Sequence, residues 1–198
     1  MISILMMILN KKYWENRYQN EDIAWDTGSI TQPLKEYIDQ ISNKNLKILI
    51  PGAGNGHEFD YLVQQGFSNV WVIDIADSPI QKLQSKYPQF IDRIQLGDFF
   101  DHAFQYDIII EQTFFCALDP EIRKTYVSKM YSLLFPNGKI VGLLFDFPLS
   151  QEGPPFGGSK AEYLSLFSEK FTIKKLEKAY NSIKPRAGRE LFFIFEKK

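Results

Sequence analysis

The stretch that most constrains this chain runs from Leu46 to Asp74, LKILIPGAGNGHEFDYLVQQGFSNVWVID. Leu46, Ile48, Leu49 and Ile50 form a short apolar run that stops at Pro51, as a strand buried on both faces does. Gly52, Gly54 and Gly56 follow at alternate positions, where a missing Cβ permits a tight turn and lets backbone approach a ligand closely. Phe59, Leu62 and Val63 then recur at helical spacing, and Gly66 suits the left-handed residue just past a helix end. Val70, Trp71, Val72 and Ile73 make a second strand, which ends on Asp74. Strand, glycine loop, helix, strand and acid together are how doubly wound α/β proteins hold an adenosine. The loop lies under the ligand and the acid accepts hydrogen bonds from the ribose hydroxyls. An ordinary βαβ crossover with a glycine turn has the same outline, so the loop alone leaves both readings open.

The glycine spacing separates the adenosine cofactors. A dinucleotide fingerprint places a third glycine three residues after the second, to pack helix and strand over a pyrophosphate. That place holds His57, and the third glycine sits one residue early, at Gly56. No lysine follows in the phosphate-loop pattern, and the loop carries no cation to meet phosphates. S-adenosylmethionine (SAM), which has ribose, adenine and an amino-acid tail but no phosphate, fits better.

At 198 residues and 44% hydrophobic, the chain supports one domain with a full core. Residues 1–30 read as an N-terminal tail and lid, and 31–198 as the main domain. A formal charge of −1 and a pI near 6.2 give no basic field for nucleic acid or anionic membrane. The single cysteine, Cys116, excludes an intrachain disulfide and suits a reducing, cytoplasmic setting. The opening MISILMMIL is too short to span a bilayer and lacks the basic start and cleavage site of a signal peptide. Met6 and Met7 offer alternative starts.

The remainder alternates strand and helix. Leu34, Tyr37, Ile38 and Ile41 predict a helix over 32–41. Ser78-Pro79 reads as the cap and first residue of a helix reaching Tyr87. Strands are expected at 94–96 and 106–110, ending in Gly97-Asp98 and Glu111-Gln112. Asp119-Pro120 opens a helix with Ile122, Tyr126, Val127, Met130 and Leu134 facing inward. Pro136-Asn137-Gly138 stops it before a strand over 139–145. A helix over 161–167 and two antiparallel strands, 171–178 and 190–197, complete a mostly parallel sheet with a terminal hairpin. Ligands in such sheets lie beyond the carboxyl ends of the strands. Asp98 is therefore placed to accept from an adenine amino group, Phe99 or Phe100 to stack on the ring, and Glu111-Gln112-Thr113 to sit beside a reacting group. Each acid also suits a helix cap or a solvated turn. His57 and His102 stand at no catalytic spacing and suit a capping or surface role, Trp71 reads as core, and no metal site is expected.

From Trp14 on, the chain resembles the thiopurine methyltransferase superfamily of SAM-dependent enzymes, with a closer likeness to the plant-type thiol and halide methyltransferases. The matching segments are YWENRYQNEDIAWDTG, LIPGAGNGHEF, VIDIADSPI, FFCALDPEIRKTYVSKMYSLLFPNGK, GPPF and SIKPRAGRE. The resemblance implies a seven-stranded, Rossmann-like methyltransferase fold with an aromatic lid. It implies cofactor contacts at Trp14, Trp25, Gly52, Asp74, Asp98, Phe99 and Gln112, with Tyr18 where those enzymes carry a second lid tryptophan and Gly54 within the loop. Gln112 replaces a tyrosine beside the methyl group, and Phe156 replaces the tyrosine of GPPY.

Trp14, Tyr18 and Trp25 are large rings in a polar segment. They serve either to dock this arm or to close over a sulfonium, which an aromatic face attracts by about 0.5–2 kcal/mol when dry. Methyl transfer to a thiolate or halide needs in-line placement in a dry pocket more than acid–base chemistry. Phe114, Phe115, Pro155 and Phe156 are the expected walls, Arg186 the charge that draws an anion (or merely a solvated loop residue), and Glu111 a neighbour of the reacting atoms. Cys116 reads as packing. The expected activity is methylation of a small soft nucleophile (a thiol, hydrogen sulfide, a halide or a thiopurine-like heteroaromatic thiol) by a monomer or weak homodimer. A same-fold enzyme acting on oxygen, nitrogen or a metalloid, and a non-catalytic SAM-binding module, are the rivals.

Overall fold

The computed structural model describes residues 9–150 and 153–198; all of the apolar opening segment but Leu9 lies outside the described residues. Seven strands form one sheet in the order β3-β2-β1-β4-β5-β7-β6. They are β1 (Ile48–Pro51), β2 (Val70–Asp74), β3 (Ile94–Leu96), β4 (Tyr106–Gln112), β5 (Leu134–Phe145), β6 (Phe171–Lys178) and β7 (Glu190–Lys197). β1 to β5 pair in parallel, and β7 inserts antiparallel between β5 and β6. The terminal hairpin takes the bounds that its sequence predicts.

Strand alternation divides the core in two. Ile48, Ile50, Val72, Ile108 and Val141 face α2 (Gln32–Asp39), α3 (His57–Gln64) and α4 (Asp77–Lys86), burying Leu34, Ile38, Phe59, Leu62 and Ile80. Leu49, Ile109, Ile140, Phe193 and Phe195 face α5 (Arg123–Ser132) and α6 (Lys160–Phe167), burying Tyr126, Met130 and Phe167. Each apolar run of β1 and β4 thus feeds both layers, which is why those strands read as continuous rather than alternating. Gly66 is the left-handed residue after α3, with φ +85°.

Several boundaries differ from expectation. α4 begins at Asp77 with Ala76 as its cap, so Pro79 lies inside the first turn, where its missing N–H costs nothing. Asp119-Pro120 opens a 3₁₀ turn before α5, and Ile122 is exposed rather than inward. Leu134 already belongs to β5, and Pro136-Asn137-Gly138 forms an irregularity within the strand: the register passes from Tyr106↔Leu134 to Ile108↔Lys139. The extra residues bulge out there because β4 pairs with β5 on both sides of them.

Ahead of the sheet, α1 (Lys11–Gln19) is capped by Asn10, whose side chain accepts from the Tyr13 N–H at 3.0 Å. Glu15 accepts from the backbone and hydroxyl of Ser78, and Lys11 pairs with Asp77 at 2.7 Å. The Ser78 hydroxyl foremost holds the Glu15 carboxyl below its ordinary range. These contacts fasten α1 to the start of α4, and the chain then crosses the carboxyl ends of the strands.

Candidate active site

A cavity of about 720 Å³ opens where the strand order switches between β1 and β4. Its floor is the glycine loop. Gly52 and Gly54 have φ of +59° and +51°, and a Cβ on Gly52 would fall 2.4 Å from the Phe114 ring. A Cβ on Gly54 would fall 2.8 Å from the Tyr18 hydroxyl, so the lid rests on the loop at a point only glycine allows. Asp74, at the end of β2, accepts from the Gly54 N–H and the Ala76 N–H, both at 2.9 Å. Burial nonetheless raises its carboxyl above the usual range. Asp98 caps the turn Phe99–Asp101 by accepting from Phe100 N–H at 2.8 Å, and it lines the cavity with Phe99 and Phe100.

The lid closes one side. Trp14 and Tyr18 meet Trp25 edge-on at 5.6 and 5.8 Å, and Arg17 lies 5.0 Å over the Trp25 ring. The next residue, Asp26, accepts from the Asn55 amide, from His57 at 2.7 Å and from the Gly28 N–H at 2.6 Å. Burial opposes ionisation of Asp26, but these partners outweigh it and hold its pKa low. On the opposite side Arg186 donates to the Trp25 carbonyl at 2.7 Å and faces Glu190 at 3.5 Å. Residues 25 and 26 are therefore pinned both to the glycine loop and to the terminal hairpin. The sequence reading missed Asp26, Asn55 and the role of His57; the clue was an acid beside the lid tryptophan, uninformative without knowing what it faces.

Of the residues singled out from sequence, Trp14, Tyr18, Trp25, Gly52, Gly54, Asp74, Asp98, Phe99, Gln112 and Arg186 come together on this cavity. Arg186 is buried, not solvated, with 8% exposure. Glu111, Phe115 and Phe156 are not on the lining. Glu111 is fully buried and points away, accepting from the N–H groups of Phe114 and Phe115 at 2.8 and 2.9 Å and from the Tyr126 hydroxyl at 2.6 Å. Burial drives its pKa up to about 7, against the pull of those donors. It holds a turn in which Thr113, β-branched, adopts φ +58°, and that turn throws the Phe114 ring across Gly52. Phe115 packs in the core, and Phe156 backs the loop under Gly153 while its N–H donates to the Cys116 carbonyl at 2.7 Å. Cys116 touches the cavity, but its thiol donates to the Thr113 carbonyl at 3.3 Å and burial pushes its pKa up. His102, expected at the surface or in a cap, is buried against the Tyr106 hydroxyl at 2.6 Å, and burial lowers its pKa to about 4. Trp71 is partly buried against the core.

Among the described residues, five acidic side chains line the cavity (Asp26, Glu58, Asp74, Asp98 and Asp119) against two guanidiniums, Arg17 and Arg186. Arg17 is already occupied by Asp22 at 3.0 Å. Four of these acids, Asp26, Glu58, Asp74 and Asp98, gather on the glycine-loop side, where they favour a ligand carrying positive charge over a pyrophosphate. The residues present therefore fit SAM: space, a glycine floor, a buried acid at a strand end, and aromatic rings beside an acidic wall.

Comparison with known proteins agrees. The thiopurine S-methyltransferase family model matches residues 9–197. A probable thiol methyltransferase 2 of Arabidopsis thaliana is 28% identical over 187 residues, covering 89% of this chain and 81% of the relative. A thiopurine S-methyltransferase of Nitrosospira multiformis is 28% identical over 191 residues, covering 86% of each. Among solved structures, the 1,6-didemethyltoxoflavin-N1-methyltransferase of Burkholderia thailandensis superposes with a TM-score of 0.76 at 18% identity, over 95% of this chain and 87% of that one. Fold, cavity and relatives together define a SAM-dependent methyltransferase. The chain belongs to the thiopurine S-methyltransferase family.

Proposed function

We propose that the protein transfers the methyl group of SAM to a small soft nucleophile, with sulfur as the preferred atom and halide or a thiopurine-like thiol within the same class. One observation carries this reading: away from the glycine loop, the cavity is walled by Phe114, Leu118, Ile122, Phe145, Pro154 and Pro155, with Asp119 the one acid on that side among the described residues. An alcohol holds its proton at any ordinary pH and depends on a strong base, whereas a thiol, with a pKa of about 8.5, releases its proton far more readily and then gains most from a dry, shaped wall. Relatives named for thiol and thiopurine methylation support the same atom.

SAM, when bound, supplies an electrophilic methyl group on a sulfonium. Asp74 would accept from the ribose hydroxyls while Gly54 N–H keeps its carboxylate aimed. Asp98, Phe99 and Phe100 would hold the adenine, and Gly52 would let the ligand lie against backbone. Trp14, Tyr18 and Trp25 exclude water from above, and Gln112, oriented by the Thr31 hydroxyl at 3.0 Å, stands at the end of β4 beside the reacting centre. Glu111 and Phe156 act as positioning residues, the first through the Phe114 turn and the second through the Pro154-Pro155 loop. Among the described residues no helix is long and apolar enough to cross a membrane. With the lone cysteine, this supports a cytoplasmic enzyme, which we place as a monomer or weak homodimer with a small-molecule acceptor and no nucleic-acid partner.

The test is a panel of thiols, sulfide, iodide, thiopurines, alcohols and amines scored by S-adenosylhomocysteine release. Turnover confined to soft nucleophiles is expected. Faster turnover of an oxygen or nitrogen acceptor overturns the reading, and SAM binding without any turnover makes the protein a binding module.

A further inference from the structure

Beside the main cavity lies a second, smaller one of about 120 Å³, lined by Phe145, Phe147, Pro155, Pro185, Arg186 and Arg189. Phe145, Pro155 and Arg186 belong to both linings, so the two spaces share a wall. The annex is electropositive for a structural reason. Arg186 is engaged by Trp25 and Glu190. Asp146, the nearest acid in sequence to Phe145 and Phe147, is taken by Lys178 at 2.5 Å. Arg189 lies 4.5 Å over the Phe147 ring and has no ion-pair partner among the described residues. Its backbone is fixed on both sides, by Arg189 N–H to the Arg186 carbonyl at 3.0 Å and by Asp146 N–H to the Arg189 carbonyl at 2.7 Å. A guanidinium stacked on a ring keeps its N–H edge free and planar, the geometry that matches a carboxylate two bonds at a time.

Resting on the sulfur-methylation reading above, we propose that the annex seats the anionic end of the acceptor: a short aliphatic thiol with a carboxylate places its sulfur in the main cavity and its carboxylate on Arg189. The annex has about one-sixth of the volume of the main cavity, room for a carboxylate and its flanking methylene but not for a fused ring system. Arg186 then serves as the partition that ties lid to hairpin, and Arg189 as the residue that selects by charge. Phe145 and Pro155, which belong to both linings, would flank the intervening carbons.

The experiment uses the full chain and two probes of equal length, 3-mercaptopropionate and 3-mercaptopropionamide, compared by kcat/KM, together with binding of the methylated product 3-(methylthio)propionate to the S-adenosylhomocysteine complex. The wild type should prefer the carboxylate by about two- to fivefold, the size of an ion pair at an exposed guanidinium, with the preference residing in KM. Arg189→Met should abolish that preference and weaken product binding to match; Arg189→Lys, which keeps the charge but loses the planar fork, should keep only part of both. Equal use of the two thiols by the wild type, or an undiminished preference in Arg189→Met, overturns the annex assignment while leaving sulfur methylation in place. If neither thiol is methylated and the product does not bind, the acceptor class falls with it.

Discussion

The cavity has two sides built in different ways. The glycine-loop side is made by strand ends and backbone: Gly52, Gly54, Asp74 and Asp98 stand where β1, β2 and β3 stop, and their positions follow from the sheet. The opposite side is made by loops and borrowed contacts: Phe114 held by Glu111, the 153–155 loop backed at Gly153 by Phe156, and Trp25 held by Arg186 across 161 residues of chain. The first side suits a ligand that is always the same; the second can be rebuilt without disturbing the sheet, as loops over a rigid scaffold allow. The proposed cofactor and acceptor regions divide along that line.

The largest expected effect falls where the second side is rooted in the core. Glu111→Ala leaves the Phe114 and Phe115 N–H groups and the Tyr126 hydroxyl buried without an acceptor, and should cost about 3–5 kcal/mol of stability, measured by denaturant unfolding. Burial raises Glu111 from 4.5 to about 7, so in that window the folded chain holds a proton that the unfolded chain has released. This group's contribution is therefore full at low pH and declines as pH rises through the window. Glu111→Gln, neutral throughout, should flatten that decline; a wild-type melting temperature indifferent to pH across the same range would show the carboxylate to be ordinary.

On the first side, Asp74→Ala should weaken SAM by at least about tenfold, since charged hydrogen bonds to the ligand and the aim of Gly54 are lost together. Calorimetry decides it, with circular dichroism to show the fold intact. An unchanged dissociation constant would remove Asp74 from the site.

The lid joins the two sides, and its cost should be intermediate. Asp26→Ala should weaken SAM by about three- to tenfold through loss of the Asn55 and His57 contacts. Hydrogen exchange across residues 10–30 should slow when S-adenosylhomocysteine is added and slow less in the variant. Equal protection with and without ligand would make this arm a fixed part of the domain.

Smallest of all should be Phe156→Leu, because the ring supports the acceptor wall from behind. Turnover should fall by about two- to fivefold, with SAM affinity unmoved, as expected when an acceptor is held slightly off line. A change in SAM affinity instead would mean that the two sides are not separable.

Much of the first side is legible in the chain because strand ends and glycine turns are local events. An apolar run, a glycine with positive φ and the acid after the next run each depend on neighbours within about thirty residues, the span of a βαβ unit. Thus β1, the loop, β2, Asp74 and both strands of the terminal hairpin stand where their residues place them. Even the aromatic arm that lines the cavity announces itself, by tryptophans where a polar segment has no local use for them.

What the tertiary structure alone decided is direction. Glu111 and Gln112 are adjacent at the end of β4, and alternation turns one into the core and the other toward the cavity. Phe114 and Phe115 part in the same way, one over Gly52 and one into the core. Arg186 sits in a loop whose composition suits solvent, yet the lid covers it, and the acid that pins the lid becomes visible only once Asp26 meets His57. Local propensity fixes where an element begins and ends. Which side chain a distant segment will cover depends on packing between parts of the chain that no local pattern records.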